Sequence, residues 1–109
     1  MTELYAVRMD VALPPGMDPV QRVDLLAREK EYAQGWQRSG HWLHIWRCVG
    51  EYANLSLFAV DGNAQLHEIL WGLPLFPYMT ITVTPLSAHP SDIAQDPAQE
   101  RTAQGASSA

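Results

Sequence analysis

The sequence predicts an α+β fold in which two helices cover one face of a four-stranded antiparallel sheet. Three observations carry that prediction. Apolar residues alternate with period two near both ends of the folded part, two central stretches rich in aromatic and branched residues flank a glycine turn, and two segments place apolar residues at helical spacing. The chain of 109 residues has room for one domain and at most a tail.

From Leu4 to Val11, Tyr5, Val7, Met9 and Val11 fall on one side of an extended chain and Ala6, Arg8 and Asp10 on the other, which makes a first strand. Pro14, Pro15 and Gly16 break it. Asp18, Pro19 and Gln21 then give an acidic N-cap, a proline at the first helical position and a capping-box partner, and Gly40 after Ser39 stops the helix they start. Residues 42–49 and 52–60 read as strands joined by Gly50-Glu51 in a two-residue type II′ turn. Asp61, Gly62 and Asn63 offer caps to a shorter helix with Leu66, Ile69, Leu70 and Leu73 on one face, ended by Pro74. Residues 78–86 set Met79, Ile81 and Val83 against Thr80, Thr82 and Thr84, a half-buried last strand.

The domain is therefore assigned to residues 1–93, and residues 94–109, rich in Ala, Ser and Gln, to a disordered tail. The order β-α-β-β-α-β most economically makes a ferredoxin-like sandwich. Its second sheet face lacks a cover, and pairing two sheets face to face in a homodimer supplies one.

Composition excludes several classes. Hydrophobic residues at 47% and charged residues at 17% call for a folded core. Twelve acidic against seven basic side chains leave a net charge of -5, the wrong sign for nucleic acid. No apolar run reaches the roughly 20 residues of a membrane span, and Met1-Thr2-Glu3 lacks the basic start of a secretory signal. Cys48 is the only cysteine, which rules out an intramolecular disulfide, fits a reducing cytoplasm and reads as a core residue. His41 and His44 point to opposite strand faces, and His67 and His89 sit in no ligand motif, so no metal site is expected.

One residue breaks the pattern of the first helix. At about 100° per residue, Leu25, Leu26, Tyr32, Ala33 and Trp36 share an arc, and Glu29 falls near its middle, flanked by Arg28 and Lys30. Glu31, Gln34 and Arg38 belong to the opposite, solvent-facing side. A desolvated carboxyl is raised toward neutrality and can take a proton from carbon and return it. An ion-paired structural glutamate, or one at an oligomer contact, has equal standing on this ground alone. Tyr52, Asn54 and Ser56 share one strand face with Phe58, and Tyr and Asn are donors able to hold an oxyanion, although a wet interface face is the more economical reading. Arg47 shares strand parity with Leu43, Ile45 and Val49, and a cation on an apolar face calls for an anion, either Glu29 or a substrate carboxylate.

Long blocks of the chain resemble the muconolactone delta-isomerase family: Val7-Arg8-Met9-Asp10-Val11, Ala27-Arg28-Glu29-Lys30-Glu31, Gln37-Arg38-Ser39-Gly40, His44-Ile45-Trp46-Arg47, Gly50-Glu51-Tyr52-Ala53-Asn54, Leu66-His67-Glu68, Leu73 to Met79, and His89-Pro90-Ser91. The resemblance runs to Ile93. It implies a dimeric α/β-barrel type of fold assembled into a larger ring-like homo-oligomer, a decamer in the family. It also implies a cofactor-independent 1,3 proton shift that turns (+)-muconolactone into 3-oxoadipate enol-lactone in the β-ketoadipate branch of catechol degradation, with a small anionic lactone as partner.

By position in those blocks, Glu29 would be base and acid, and Tyr52 and Asn54 would hold the lactone or its oxyanion. Arg47 is the first choice for the substrate carboxylate, His44 and Arg28 the second. Three places depart from the family's usual pattern: Glu51 stands where His is common, Thr80 where Asp is usual, and Ser87-Ala88 where a small residue and Arg precede His-Pro. They leave chloro- and methyl-substituted lactones, and dehalogenation, as alternatives. A non-catalytic small-ligand binder and a cofactor-independent oxygenase of similar fold are the readings from other classes.

Overall fold

A computed structural model describes residues 2–95. The elements follow the expected order: β1 (Glu3–Val11), α1 (Pro19–Arg38), β2 (Trp42–Arg47), β3 (Ala53–Val60), α2 (Asn63–Trp71) and β4 (Met79–Leu86), with short 3-10 turns at Phe76–Tyr78 and Ile93–Gln95. The strands form one antiparallel sheet in the order β2-β3-β1-β4. The 3-10 turn at Ile93–Gln95 occupies the first two residues of the expected tail, and the rest of that tail, from residue 96, lies outside the described residues.

Both helices pack on the face built from the odd positions of β1 and the even positions of β3. Tyr5, Val7, Met9, Phe58 and Val60 are buried there, together with Leu66, Ile69, Leu70 and Leu73. The caps act where the sequence puts them. The Asp18 carboxylate accepts from the Gln21 backbone N–H at 3.2 Å, and Pro19 opens α1. At the other end Gly40 takes φ +84°, its N–H donates to the Gln37 carbonyl, and the His41 N–H donates to the Trp36 carbonyl, closing the helix in a Schellman motif.

α2 is capped differently from the expectation. Gly62 holds the N-cap position without a side-chain bond. Asn63 Oδ1 accepts from the Tyr5 hydroxyl at 2.6 Å, and Gln65 reaches back to the Asp61 N–H at 2.8 Å.

The central hairpin departs from the two-residue turn. β2 ends at Arg47 and β3 starts at Ala53, so residues 48–52 make the connection. The Glu51 N–H bonds the Cys48 carbonyl, which puts Gly50 at the third turn position with φ +79°, the value that a type II turn needs there and glycine supplies. The second departure is a register shift between Trp42 and His44. This bulge lets Trp42 enter the core against Phe58, 4.7 Å between ring centroids, while returning Ile45 and Arg47 to the same helix-covered side.

Cys48 is half-buried in the turn, outside the core, where its Sγ accepts from Arg8 at 3.5 Å. The helices meet where the Tyr32 hydroxyl donates to the Ile69 carbonyl at 2.7 Å. Gly72 is required at that contact, because a Cβ in its place would overlap the Tyr32 hydroxyl.

Candidate functional site

The cavity at issue lies between α1, the loop after α2 and the β2–β3 end of the sheet. It has a volume of about 420 Å³, within the range of small-ligand sites. α1 contributes Leu26, Glu29, Lys30, Ala33, Gln34 and Gln37, and the sheet contributes Val11, Ile45, Arg47, Tyr52, Ala53 and Asn54, with Leu75 and Met79 closing the side.

Helical geometry explains how α1 does two jobs. Taking Glu29 as zero, Leu25, Tyr32 and Trp36 lie within about 60° to one side and form the core arc, while Leu26, Gln37, Lys30 and Gln34 lie about 60° to 140° to the other and form the cavity wall. Glu29 stands where the arcs overlap. Gln34, expected on the solvent side, therefore belongs to the cavity. So do Lys30 and Gln37, which lie outside the apolar arc.

The Glu29 carboxylate accepts a hydrogen bond from the Leu75 backbone N–H at 2.9 Å. Among the described residues no basic side chain reaches it at salt-bridge distance. Among the described residues its one hydrogen-bond partner is thus a backbone amide of the loop that Leu73 and Leu75 anchor in the interior. Burial pushes the Glu29 carboxyl above the ordinary range, and the Leu75 N–H, by favouring the anion, pulls it partway back. A structural ion pair would have moved it the other way.

Facing Glu29 from the sheet are donors and a cation. Asn54 is held by its neighbours: Ser56 Oγ donates to Asn54 Oδ1 at 2.7 Å, and Asn54 Nδ2 lies 3.6 Å from Met9 Sδ. Tyr52 is 42% exposed at the mouth, and the Arg47 guanidinium sits over its ring at 5.7 Å. The structure therefore brings Glu29, Tyr52, Asn54 and Arg47 together. It does not bring His44 or Arg28 to them. His44 pairs with Leu57 on the opposite sheet face and stacks on Trp46, and Arg28 is exposed on α1, bonded to Asp24 at 2.9 Å. The register shift after Trp42 leaves His44 on the far side, and Arg28 is set about 100° away from Glu29 on the side that faces water.

Among the described residues no group of three or more His, Cys, Asp and Glu side chains is placed to hold a metal, and no helix is long and apolar enough to cross a membrane. The site offers one desolvated carboxylate, neutral donors and cations around a small apolar-walled space. That set suits transfer of a proton within a small anionic molecule.

Comparison with known proteins agrees. Residues 3–92 match the family described as Muconolactone delta-isomerase. The chain is 61% identical over 94 residues to Muconolactone Delta-isomerase 1 of Acinetobacter lwoffii, covering 85% of this chain and 97% of that one. It is 56% identical over 90 residues to Muconolactone Delta-isomerase of Rhodococcus opacus, covering 83% and 97%. A crystal structure of muconolactone isomerase superposes with a TM-score of 0.80 at 52% identity, covering 85% of this chain and 97% of that one.

The raised carboxyl has a consequence for stability. The folded state keeps the Glu29 proton to higher pH than the unfolded chain does, so folding is favoured by it at low pH and loses that contribution as pH rises through the ordinary carboxyl range and above. Glu29→Gln keeps the acceptor for Leu75 N–H and removes the titration. The melting temperature of the variant minus that of the native protein should therefore increase from about pH 4 upward. Thermal unfolding across that range reads it, and a flat difference would show that Glu29 is not desolvated.

Proposed function

The chain belongs to the muconolactone delta-isomerase family, and we propose that Glu29 carries the family's reaction as the single base and acid of a 1,3 proton shift. The activity is isomerisation of muconolactone. In our reading the Glu29 carboxylate removes the ring C4 proton. The C4–H electron pair becomes the C3=C4 bond, the C2=C3 pair moves toward C1, and the lactone carbonyl oxygen takes the negative charge. Collapse of this dienolate then lets C2 recover the proton from Glu29. One proton moves and no electrons leave the substrate, so the step requires neither a redox partner nor a cofactor.

The observation that supports this reading is the single desolvated carboxylate on the cavity wall, held by Leu75 N–H with no basic side chain at salt-bridge distance among the described residues. Such a group sits closer in basicity to a carbon acid than an exposed glutamate does. Asn54 and Tyr52 lie across the cavity as donors to the developing oxyanion, and Arg47 beside Tyr52 receives the side-chain carboxylate. The three departures from the family's usual pattern give no ground for a changed substrate, since Glu51, Thr80, Ser87 and Ala88 all lie off the cavity wall.

We also propose that the second sheet face is covered by another copy of the chain. Leu4 pairs with Leu86 and Trp46 with Leu55 on the face away from the helices, and each of these four is more than two-fifths exposed. Exposed apolar pairs of this kind on an uncovered sheet face call for burial.

Proton NMR of the enzyme with (+)-muconolactone in deuterated buffer tests the chemistry. Native protein should yield the enol-lactone with part of the C4 proton retained at C2, whereas Glu29→Gln should keep its fold and lose about 10²- to 10⁴-fold in turnover. Near-native turnover of that variant would place the base elsewhere. Arg47→Ala should raise KM by about 10- to 100-fold with kcat reduced much less, as expected for a charge-assisted bond made equally in ground and transition states. An unchanged KM would move the carboxylate contact to another cation. For the assembly, Leu55→Lys should lower the oligomeric state seen by sedimentation velocity, and an unaltered sedimentation profile would show that this face is not the contact.

A further inference from the structure

We infer that Ser56 is a positioning residue that fixes the orientation of the Asn54 amide. The inference rests on Asn54 being the donor to the lactone carbonyl oxygen, and it adds a residue that aims the Asn54 N–H at the cavity.

Ser56 is the one buried polar side chain among the described residues, 1% exposed. It is paired in the sheet with Val7 on one side and Ile45 on the other, and it is not part of the cavity wall. A hydroxyl among apolar neighbours is costly unless it is bonded, and its bond is the 2.7 Å donation to Asn54 Oδ1. The other neighbour of the amide, Met9 Sδ, has no hydrogen to give and accepts one Nδ2 hydrogen at 3.6 Å.

The pair is asymmetric, and the asymmetry sets the orientation. As observed, the amide oxygen meets the hydroxyl and the amide nitrogen meets the sulfur, so the remaining N–H is free for the cavity. Turned over, the carbonyl oxygen would meet a thioether that cannot donate, and a lone pair would point where the oxyanion develops. The Ser56 oxygen could accept from Nδ2 in that turned-over arrangement, but its own hydrogen would then find no acceptor on the Val7 and Ile45 side chains paired with it. Removing the hydroxyl therefore takes away part of the preference for the first arrangement and leaves Met9 Sδ as its remaining source. The amide would then spend part of its time presenting the wrong end, which lowers the rate of the chemical step and leaves binding through Arg47 in place.

Steady-state kinetics with muconolactone on four variants decides the matter. Asn54→Ala should lower kcat by about 10²-fold or more. Ser56→Ala should lower kcat by about tenfold with KM within about twofold of native. The double variant should be no slower than Asn54→Ala alone, because Ser56 acts only through Asn54. Ser56→Thr, which keeps the hydroxyl while crowding the core, should recover most of the loss. A Ser56→Ala enzyme as fast as the native one, a double variant in which the two losses multiply, or a Ser56→Thr enzyme no better than Ser56→Ala would each overturn the positioning role. A native-like Asn54→Ala enzyme would overturn the donor reading of Asn54 instead, and is distinguished from those by that single variant.

Discussion

Glu29 and the Leu75 N–H meet where two separately encoded pieces of the fold converge, and the geometry of the cavity follows from their contact. The carboxylate is on α1, whose last turn is fixed by the Gly40 Schellman motif and whose docking on α2 is fixed by Tyr32 on the Ile69 carbonyl over Gly72. The amide is on the segment after α2, anchored by buried Leu73 and Leu75 and turned by Phe76-Pro77-Tyr78 into β4. A shift of either piece would break a 2.9 Å bond and leave a partly desolvated anion without its one donor. The raised carboxyl is thereby positioned by a partner that holds no formal charge. An arginine in that place would depress its basicity and undo its usefulness as a base.

Most of the fold was legible because its signals are periodic. The alternation in β1, the Met79 and Ile81 positions of β4, the Asp18-Pro19 start, the Gly40 stop and the Leu66, Ile69, Leu70, Leu73 face act in the structure as the sequence suggests, whereas Val83 of β4 stays exposed. Glu29 was legible for the same reason, as a charge on an apolar arc. What escaped was local and aperiodic. The register shift between Trp42 and His44 leaves no mark in the residue pattern, since every position from 42 to 47 is compatible with either face. The turn at 48–52 is longer than Gly-X suggests because residue types alone do not choose between a type II and a type II′ turn around one glycine. Lys30, Gln34 and Gln37 were passed over because a polar residue on a cavity wall looks, in sequence, like a polar residue in water.

Charge on this small acidic protein is arranged locally, against its total. The net charge of -5 would repel an anionic lactone, and Glu29 adds a negative group to the cavity wall. Arg47 over the Tyr52 ring and Lys30 on the α1 wall place two cations around the same cavity. The Tyr52 ring shelters one side of the Arg47 guanidinium, so a carboxylate meeting the other side interacts through less water than it would with an open surface arginine.

The two faces of the sheet divide the cavity from the open side, and strand parity enforces the division. Positions that feed the helix-covered side, Met9, Ile45, Arg47, Asn54 and Ser56, build the cavity or orient its groups. Their immediate neighbours Arg8, Asp10, Trp46 and Leu55 build the open face. The departures from the family's pattern follow this partition. Glu51 turns to the Arg8 guanidinium at 2.9 Å, where Asp10 also binds at 3.0 Å, and Thr80 lies opposite Asp10 in the β1–β4 register. A second carboxylate at position 80 would crowd Asp10, which already shares its cation with Glu51. The neutral threonine and the acidic Glu51 therefore make sense together as one redistribution of charge on the open face. Because alternate residues of a strand face opposite ways, that redistribution leaves Glu29, Asn54 and the groups that hold them untouched.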